Sequence, residues 1–392
     1  MGSGAPALLR TSLHDVHRRL GARMVDFAGW DMPVQYPSGI IAEHTAVRTA
    51  CGIFDLSHMG RVYVRGPDAL ELAQVCCTRD LSRIPSGEAA YSLLCNEQGG
   101  ILDDVIAYVL GSEEVLFVFN ASNRESDTAW FCRQRDARGL RGEVDDQTHA
   151  TALIGVQGPL AQTVLQRICN TDLGALPGYA FVAGLEVAGA PTLVARTGYT
   201  GEDGFELLTA AVDAEHVWDA LLKGAQGAQG AQHAQDAQGA EHVTACGLGA
   251  RDTLRTEAGM ALYGHEIDQH TTPYEARLGW VCNLHKPDFV GRETLAALKE
   301  SAPKRVLVGL HVAAGGVPRP GLAILHMQRT VGTLTSGTFS PTLKRSIALG
   351  FVPPDLAAPG QSLQVELRGN ALDAEVVKLP FVPHRSRPRA KM

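Results

Sequence analysis

The sequence predicts an α+β protein in which antiparallel, ferredoxin-like sheet regions are followed by a small C-terminal β-barrel or sandwich. Three observations predict it. Between residues 61 and 138, apolar alternation and helical stripes follow one another as β-α-β-β-α, the order of a split βαβ unit with antiparallel pairing. In the middle of the chain, "ATALIGVQGPLAQTVLQRI" reads as strand, Gly-Pro turn and helix, and "APTLVARTGYTGEDGFELLTA" as two strands joined by a glycine-rich loop. From about residue 303, short alternating strands are separated by Gly and Pro, the texture of a small barrel or sandwich.

Each element follows from its own residues. "HDVH", residues 14–17, has the i,i+3 spacing of an exposed helix face. "RVYVRG" (61–66) alternates as a strand and leads into "DALELAQVCCTRDL", where Leu70, Ala73 and Cys77 form a helical stripe. "YSLLCNEQGGILDDVIAYVL" (91–110) is a buried β-hairpin, and "EEVLFVFNAS" is a second buried strand ending at Asn120 and Ala121. "SNRESDTAWFCRQRDARG" is a helix with N-cap candidates at its start and Gly139 as its stop. "DAEHVWDALLKG" is amphipathic, with Ala214, Val217, Trp218 and Leu221 on one face. "GAQGAQGAQHAQDAQGA" (224–240) is too small and polar to bury a core, so it reads as a solvated insertion. "CGLGARDTLRTEAGMALYG" is a glycine turn feeding a helix that ends at Gly259, and "LHKPDFVGRETLAALKESAPK" supplies a connecting helix. "RVLVGLHV", "VGTLTSGTF" and "QSLQVELRG" are strands of the last domain. The expected division is 10–265, an α/β region of two interleaved subdomains, then 266–302 as a connection, then 303–385 as the β domain.

Composition narrows the function classes. A chain of 392 residues exceeds one ordinary core, and 45% apolar content is globular. The net charge of −7 offers no basic field for nucleic acid or an anionic membrane surface. No apolar run approaches the roughly 20 residues that a membrane span needs. The start, "MGSGAPALLRTSLHDVHRRLGA", lacks a secretory h-region, and folded-looking sequence begins near Leu13. A cytoplasmic location is therefore expected, with the mitochondrial matrix as the alternative for a trimmed chain. The eight cysteines contain no C-x-x-C pair and read as reduced, mostly buried small residues.

Several motifs fail on inspection. "HEIDQH" (265–270) resembles a zinc-protease helix, but its histidines are five apart and cannot share one metal, so no metal is expected. The serine-hydrolase, P-loop and Rossmann signatures are missing. Three polar clusters remain. In the hairpin, Asp103 and Asp104 point to opposite faces, with Leu102, Ile106 and Tyr108 beside Asp104. One carboxylate can cap the "NEQGG" turn while the other projects into an interior; equally, both can simply end the turn. In "RTGYTGEDGFE" (196–206), glycines at 198, 201 and 204 let the backbone pass close to something flat or bulky. Glu202 and Asp203 are expected at an exposed tip, with Glu206 re-entering a strand where it could accept a pair of heterocycle N–H groups. In "GLGARDTLR", Arg251 and Arg255 lie four apart on one helix face, ready for ligand carboxylates or for surface acids.

These clusters, in this order, resemble the aminomethyltransferase family, the T-protein of the glycine cleavage system. The resemblance lies in "FAGWDMPVQYPSGIIAEHTAVRTACGIFDLSHMG", "YSLLCNEQGGILDD", "RTGYTGEDGFE", "GLGARDTLRTEAGMALYGHEID", "DFVGRE" and "TSGTFSPTLKRSIALGFV", spread from about residue 10 to 383. It implies a three-domain cloverleaf around a central folate channel, with the last domain a β-barrel and residues 10–265 the folate-binding region. The implied reaction moves the methylene of the aminomethyl group on lipoylated H-protein to tetrahydrofolate with release of ammonia. Tetrahydrofolate is thus a co-substrate, and the P- and L-proteins are functional partners. By the same resemblance Asp104 is the catalytic carboxylate, Glu206 grips the pterin N–H groups, and Arg251 binds substrate. Tyr91, Tyr108, Asn120, Val118 and Tyr199 line the folate site. Arg385 and Arg387 are loose candidates for a contact to the folate tail, because the match fades beyond Pro383.

Two alternatives belong to the same superfamily. A non-catalytic folate-binding branch assists iron–sulfur assembly, but its K-G-C-Y-x-G-Q-type motif is missing here and the catalytic aspartate is present. The sarcosine- and dimethylglycine-oxidising enzymes need a flavin domain, and no dinucleotide fingerprint precedes residue 10.

Overall fold

The computed structural model describes residues 7–224 and 243–389. The GAQ insertion, apart from Gly224, lies outside the described residues. The chain begins with α1 (His14–Arg19), β1 (Arg23–Phe27), β2 (Trp30–Gln35), α2 (Ile40–Thr49) and β3 (Cys51–Asp55). It continues through β4 (Gly60–Arg65), α3 (Ala69–Cys76), β5 (Glu88–Cys95), β6 (Ile101–Gly111), β7 (Glu114–Phe119), α4 (Arg124–Arg138) and β8 (Glu143–Asp146). Next come β9 (Thr151–Gln157), α5 (Ala161–Gln166), β10 (Phe181–Val187), β11 (Ala190–Ala195), β12 (Gly204–Ala210), α6 (Ala214–Gly224), β13 (Val243–Cys246) and α7 (Leu248–Glu257). The last part holds α8 (Arg292–Glu300), β14 (Val306–Val312), β15 (Ala323–His326), β16 (Arg329–Ser340), β17 (Arg345–Val352), β18 (Ser362–Leu367) and β19 (Asn370–Val377). The described residues within Met1–Arg61, Asp146–Arg251 and Ser386–Met392 form one compact unit, and those within Val62–Asp145 and Asp252–Arg385 form another.

The first unit is built on a six-stranded sheet in the order β10-β11-β12-β9-β3-β13, antiparallel until β13 joins β3 in parallel. Alternation along β12 sends Phe205 and Leu207 into a core with Ile53, Ile154, Val156 and Val194. The amphipathic face of α6 closes that core: Ala214, Val217, Trp218 and Leu221 are fully buried, as their spacing predicts. The expectation for α1 is corrected. His14 and His17 are buried, because His14 meets Asp31 (2.8 Å) while His17 meets Asp55 (2.9 Å) and the Tyr36 hydroxyl (2.8 Å). Paired carboxylates draw this helix face inward, where spacing alone leaves it in solvent.

The second unit contains a five-stranded sheet in the order β5-β6-β7-β4-β8. Strands β4, β6, β7 and β8 with crossovers α3 and α4 reproduce the ferredoxin-like arrangement, and β5 is an extra edge strand hairpinned to β6. One face packs under the helices, with Val105, Ala107, Phe117 and Phe119 against Leu72, Ala73 and Phe131. Gly139 closes α4 at a φ of 64°, its N–H returning to the carbonyl of Asp136. Strands β14 to β19 close into a barrel in the order β14-β17-β16-β15-β18-β19, which settles barrel against sandwich.

The segment between α7 and the barrel packs on the hairpin through Ile267, Val281, Phe289 and Leu295 against Leu93, Cys95 and Ile101. Its anchor is the buried Lys286, whose Nζ donates to the carbonyls of Gln74 (2.6 Å), Cys77 (2.6 Å) and Arg79 (2.9 Å) at the end of α3. A cation there complements the helix C-terminus, although burial pulls the ammonium down to about 8. Lys286→Met orphans three carbonyls but relieves that desolvation, so a loss of about 1–2 kcal/mol is expected, read by urea unfolding.

Candidate functional site

The β5-β6-β7 ladder decides which side chains meet. Opposed residues in antiparallel strands share a face. The register pairs Leu93 with Asp104, Tyr91 with Ile106, Ala89 with Tyr108, Ile106 with Val118 and Tyr108 with Leu116. Asn120, two residues beyond Val118, comes opposite Asp104. Five residues singled out from the sequence, Tyr91, Asp104, Tyr108, Val118 and Asn120, therefore stand on one sheet face. That face is opposite to the one packed under α3 and α4.

Asp104 is half-buried at the centre of this face. Its carboxylate accepts from the Tyr91 hydroxyl (3.1 Å) and from Asn120 Nδ2 (2.8 Å). Leu93, Tyr108, Leu116 and Val118 around it are buried. Burial, and then the charge of neighbouring Asp103, push the Asp104 carboxyl up to about 7.

Asp103 points the other way and is fully buried. It accepts from Asn120 N (3.0 Å), Asn120 Nδ2 (2.8 Å) and Asn123 Nδ2 (2.8 Å). Asn123 holds the N-cap position of α4, but its amide serves Asp103 and the Leu102 carbonyl in place of the helix. Neither aspartate caps the "NEQGG" turn. Asn96 Oδ1 does so, accepting from Gln98 N (3.0 Å) and Gly100 N (2.9 Å). An asparagine at the turn frees both carboxylates for other partners. Trp280, 65% exposed, stacks on Tyr91 with ring centroids 6.0 Å apart. No periodicity in "RLGWVCNL" announces that contact; only the fold of the connecting segment supplies it.

In the first unit, Glu206 lies on β12 opposite Ala195 and Gly155, on the face away from Phe205 and Leu207. It accepts from the Thr197 hydroxyl (2.6 Å). Arg251, on α7, places its guanidinium 4.7 Å from the ring centre of Tyr199 and donates to Met59 Sδ (3.7 Å). Tyr199 and Arg251 are thus brought together.

The loop around Tyr199 corrects two expectations. Glu202 is buried and paired with Arg48 (2.9 Å), and Asp203 accepts from Arg196 Nε (3.0 Å), so neither forms an exposed tip. Arginines from α2 and from the loop itself hold them in. The glycines make room for the protein's own Gln157: a Cβ at Gly198 would lie 2.1 Å from Gln157 Oε1, and one at Gly204 2.5 Å from its Nε2. Gly201 supplies a φ of +77°.

Arg255 is itself buried, yet its Nε donates to the exposed Asp252 (2.8 Å), the surface-acid pairing that its spacing allows. It is buried against Glu266 (2.8 Å) and Ser336 (2.7 Å), which fixes "HEIDQH" as a structural segment outside any helix. Arg385 and Arg387 are exposed, and the Arg387 backbone N–H reaches Asp203 Oδ1 at 3.4 Å.

Comparisons with known proteins bear on both units. Residues 13–286 match the family model described as the GCVT N-terminal domain. Residues 305–383 match the glycine cleavage T-protein C-terminal barrel domain. A protein of Symbiobacterium thermophilum named aminomethyltransferase is 45% identical over 385 residues, 97% of this chain and 99% of its own. One of Rubrobacter xylanophilus with the same name is 46% identical over 375 residues, 95% of this chain and 94% of its own. The crystal structure of glycine cleavage system aminomethyltransferase T from Bartonella henselae superposes with a TM-score of 0.86 at 32% identity, covering 97% of this chain and 99% of that one. This chain belongs to the glycine cleavage T-protein family.

Proposed function

We propose that this protein is the aminomethyltransferase of a glycine cleavage system. It moves the methylene of the aminomethyl group on a lipoylated H-protein to tetrahydrofolate, releasing ammonia and leaving the arm as the reduced dihydrolipoyl thiol. The observation that carries the reading is Asp104, held by Tyr91 and Asn120 amid Tyr108 and Val118 on one sheet face. In this reading residues 10–265 carry the folate chemistry, 266–302 connect, and 303–385 form the barrel domain. The P- and L-proteins act with it, in the cytoplasm.

The residues present suit a reduced pterin. Tyr91, Tyr108 and Val118 offer flat and apolar surface, while Asp104 and Glu206 offer carboxylate acceptors for N–H groups. Tetrahydrofolate supplies the nucleophilic nitrogen. Positive charge grows on the transferred carbon as ammonia departs, and a fixed, half-buried carboxylate at Asp104 stabilises it better than water does. Tyr91 and Asn120 keep that carboxylate from rotating. Glu206 orients the ring, and Arg251 and Tyr199 contribute binding contacts.

Asp104 must be ionised for this role. Its carboxyl titrates near 7, so kcat/KM falls on the acid side of that value, about tenfold per pH unit below it. A profile flat from about pH 5 to 8 would contradict the role. The reaction itself is tested by ammonia release from aminomethyl-loaded H-protein. Rapid release is expected only with tetrahydrofolate present; indifference to it would overturn the reading.

A further inference from the structure

Behind Asp104 lies a second carboxyl pair that the transfer reaction does not use. Asp127, one turn into α4, is 3% exposed, and its carboxyl meets that of Asp103. The donors are shared unequally. Asp103 receives three N–H groups, two from Asn120 and one from Asn123. Among the described residues, no N–H or O–H donor is aimed at the buried Asp127 Oδ2. An anion at Asp127 would be an unpaired buried charge against a second anion, whereas one proton between the two carboxyls satisfies both.

The other groups facing the pair do not supply that compensation. Tyr263, from the segment after α7, stays a neutral phenol: burial, then Asp103, Asp127 and Asp268, push it up to about 12. On the far side of Asp103 stand Asp104 and, from β5, Tyr91. Asn120 joins the two sides, because the same Nδ2 donates to Asp103 Oδ1 and to Asp104 Oδ1, each at 2.8 Å.

We propose that Asp127 is a neutral acid donating its proton to Asp103, and that this locked pair, acting through Asn120, positions Asp104 and sets the pH at which it ionises. Asp103 and Asp127 are positioning residues in this scheme, since neither touches the reacting atoms. Only one negative charge then stands behind Asp104, carried by Asp103. Burial, Asp103 and Asp104 all raise Asp127, in keeping with the neutral form.

The proton can be observed without turnover. Isotope-edited infrared spectra of the full chain carrying 13C-carboxyl aspartate are recorded at about pH 8.5, above the Asp104 titration. A protonated-carboxyl band is expected, and it disappears in Asp127→Asn. If the wild type shows no such band, the proposal is wrong. The kinetic arm rests on the proposed role of Asp104. Asp127→Leu keeps the branched shape, with added bulk, but removes the donor, and it should lower kcat about tenfold with little change in KM for tetrahydrofolate. Asp127→Asn, which can still donate, should restore kcat and leave the acid limb within about 0.3 pH unit of wild type. A downward shift of a full unit or more in Asp127→Asn would mean that Asp127 is charged in the wild type. Full turnover in Asp127→Leu would remove its positioning role. If Asp127→Leu does not fold, the infrared and asparagine arms decide. Failure of the Asp104 assignment itself would appear as full turnover in Asp104→Asn, which leaves the infrared result untouched.

Discussion

Asp104→Asn is expected to lower turnover about a thousandfold and to leave tetrahydrofolate affinity within about threefold of wild type, because a preorganised charge acts on the developing transition state more than on the bound ground state. The substitution is nearly isosteric. Its amide oxygen can still accept from Asn120 or Tyr91, so the hairpin keeps its register. Stability should not fall either, since removing the charge relieves repulsion with Asp103. The sign agrees with linkage. A carboxyl raised in the folded state contributes stability below its unfolded pKa and loses it as pH rises through about 7, and asparagine is free of that loss. Single-turnover ammonia release and a thermal melt on the same preparation separate the two effects. Near-normal release would remove Asp104 from the chemistry.

Glu206→Ala is expected to act on binding. A carboxylate accepting two N–H groups of a bound heterocycle contributes about 2–3 kcal/mol, so tetrahydrofolate affinity should fall about 30- to 150-fold. Turnover at saturation should change less. The residue stands on the face of β12 away from the core, so its loss leaves Phe205 and Leu207 packed. Thr197, itself buried, loses a hydrogen bond, a cost of about 1 kcal/mol in stability that leaves the core packing in place. Calorimetric titration is the direct measurement, and an unchanged dissociation constant would place the pterin elsewhere.

The parts of this molecule legible in its sequence are those governed by period. The hairpin around Asp104, the buried stripe of α6, the strand carrying Glu206 and the texture of the barrel all follow from alternation or helical spacing. Glycine stops were legible too, as at Gly139. Partners distant in sequence were not. Glu202 is buried because Arg48 comes from 154 positions away, and His17 because Asp55 does from 38. Arg255 does pair with the exposed Asp252, as its spacing allows, but its burial depends on Glu266 and Ser336, which the spacing does not show. Charged residues carry no periodic sign of burial, since only the tertiary partner makes burial affordable.

The candidate site shows the same division. Strand alternation put Asp103 and Asp104 on opposite faces, and the resemblance chose Asp104 between them, but the direction of Asn123 was legible in neither. An asparagine before a helix predicts a cap, and here its amide goes to a carboxylate on another strand. The acidic pair behind Asp104, and Trp280 on Tyr91, belong to this class of contact.

A crystal structure with tetrahydrofolate bound tests the central claim most directly. The Asp104 carboxylate is expected within hydrogen-bonding distance of the folate's reactive nitrogens, with Tyr91 and Asn120 still holding it. A folate bound elsewhere, with Asp104 facing only solvent, would contradict the assignment.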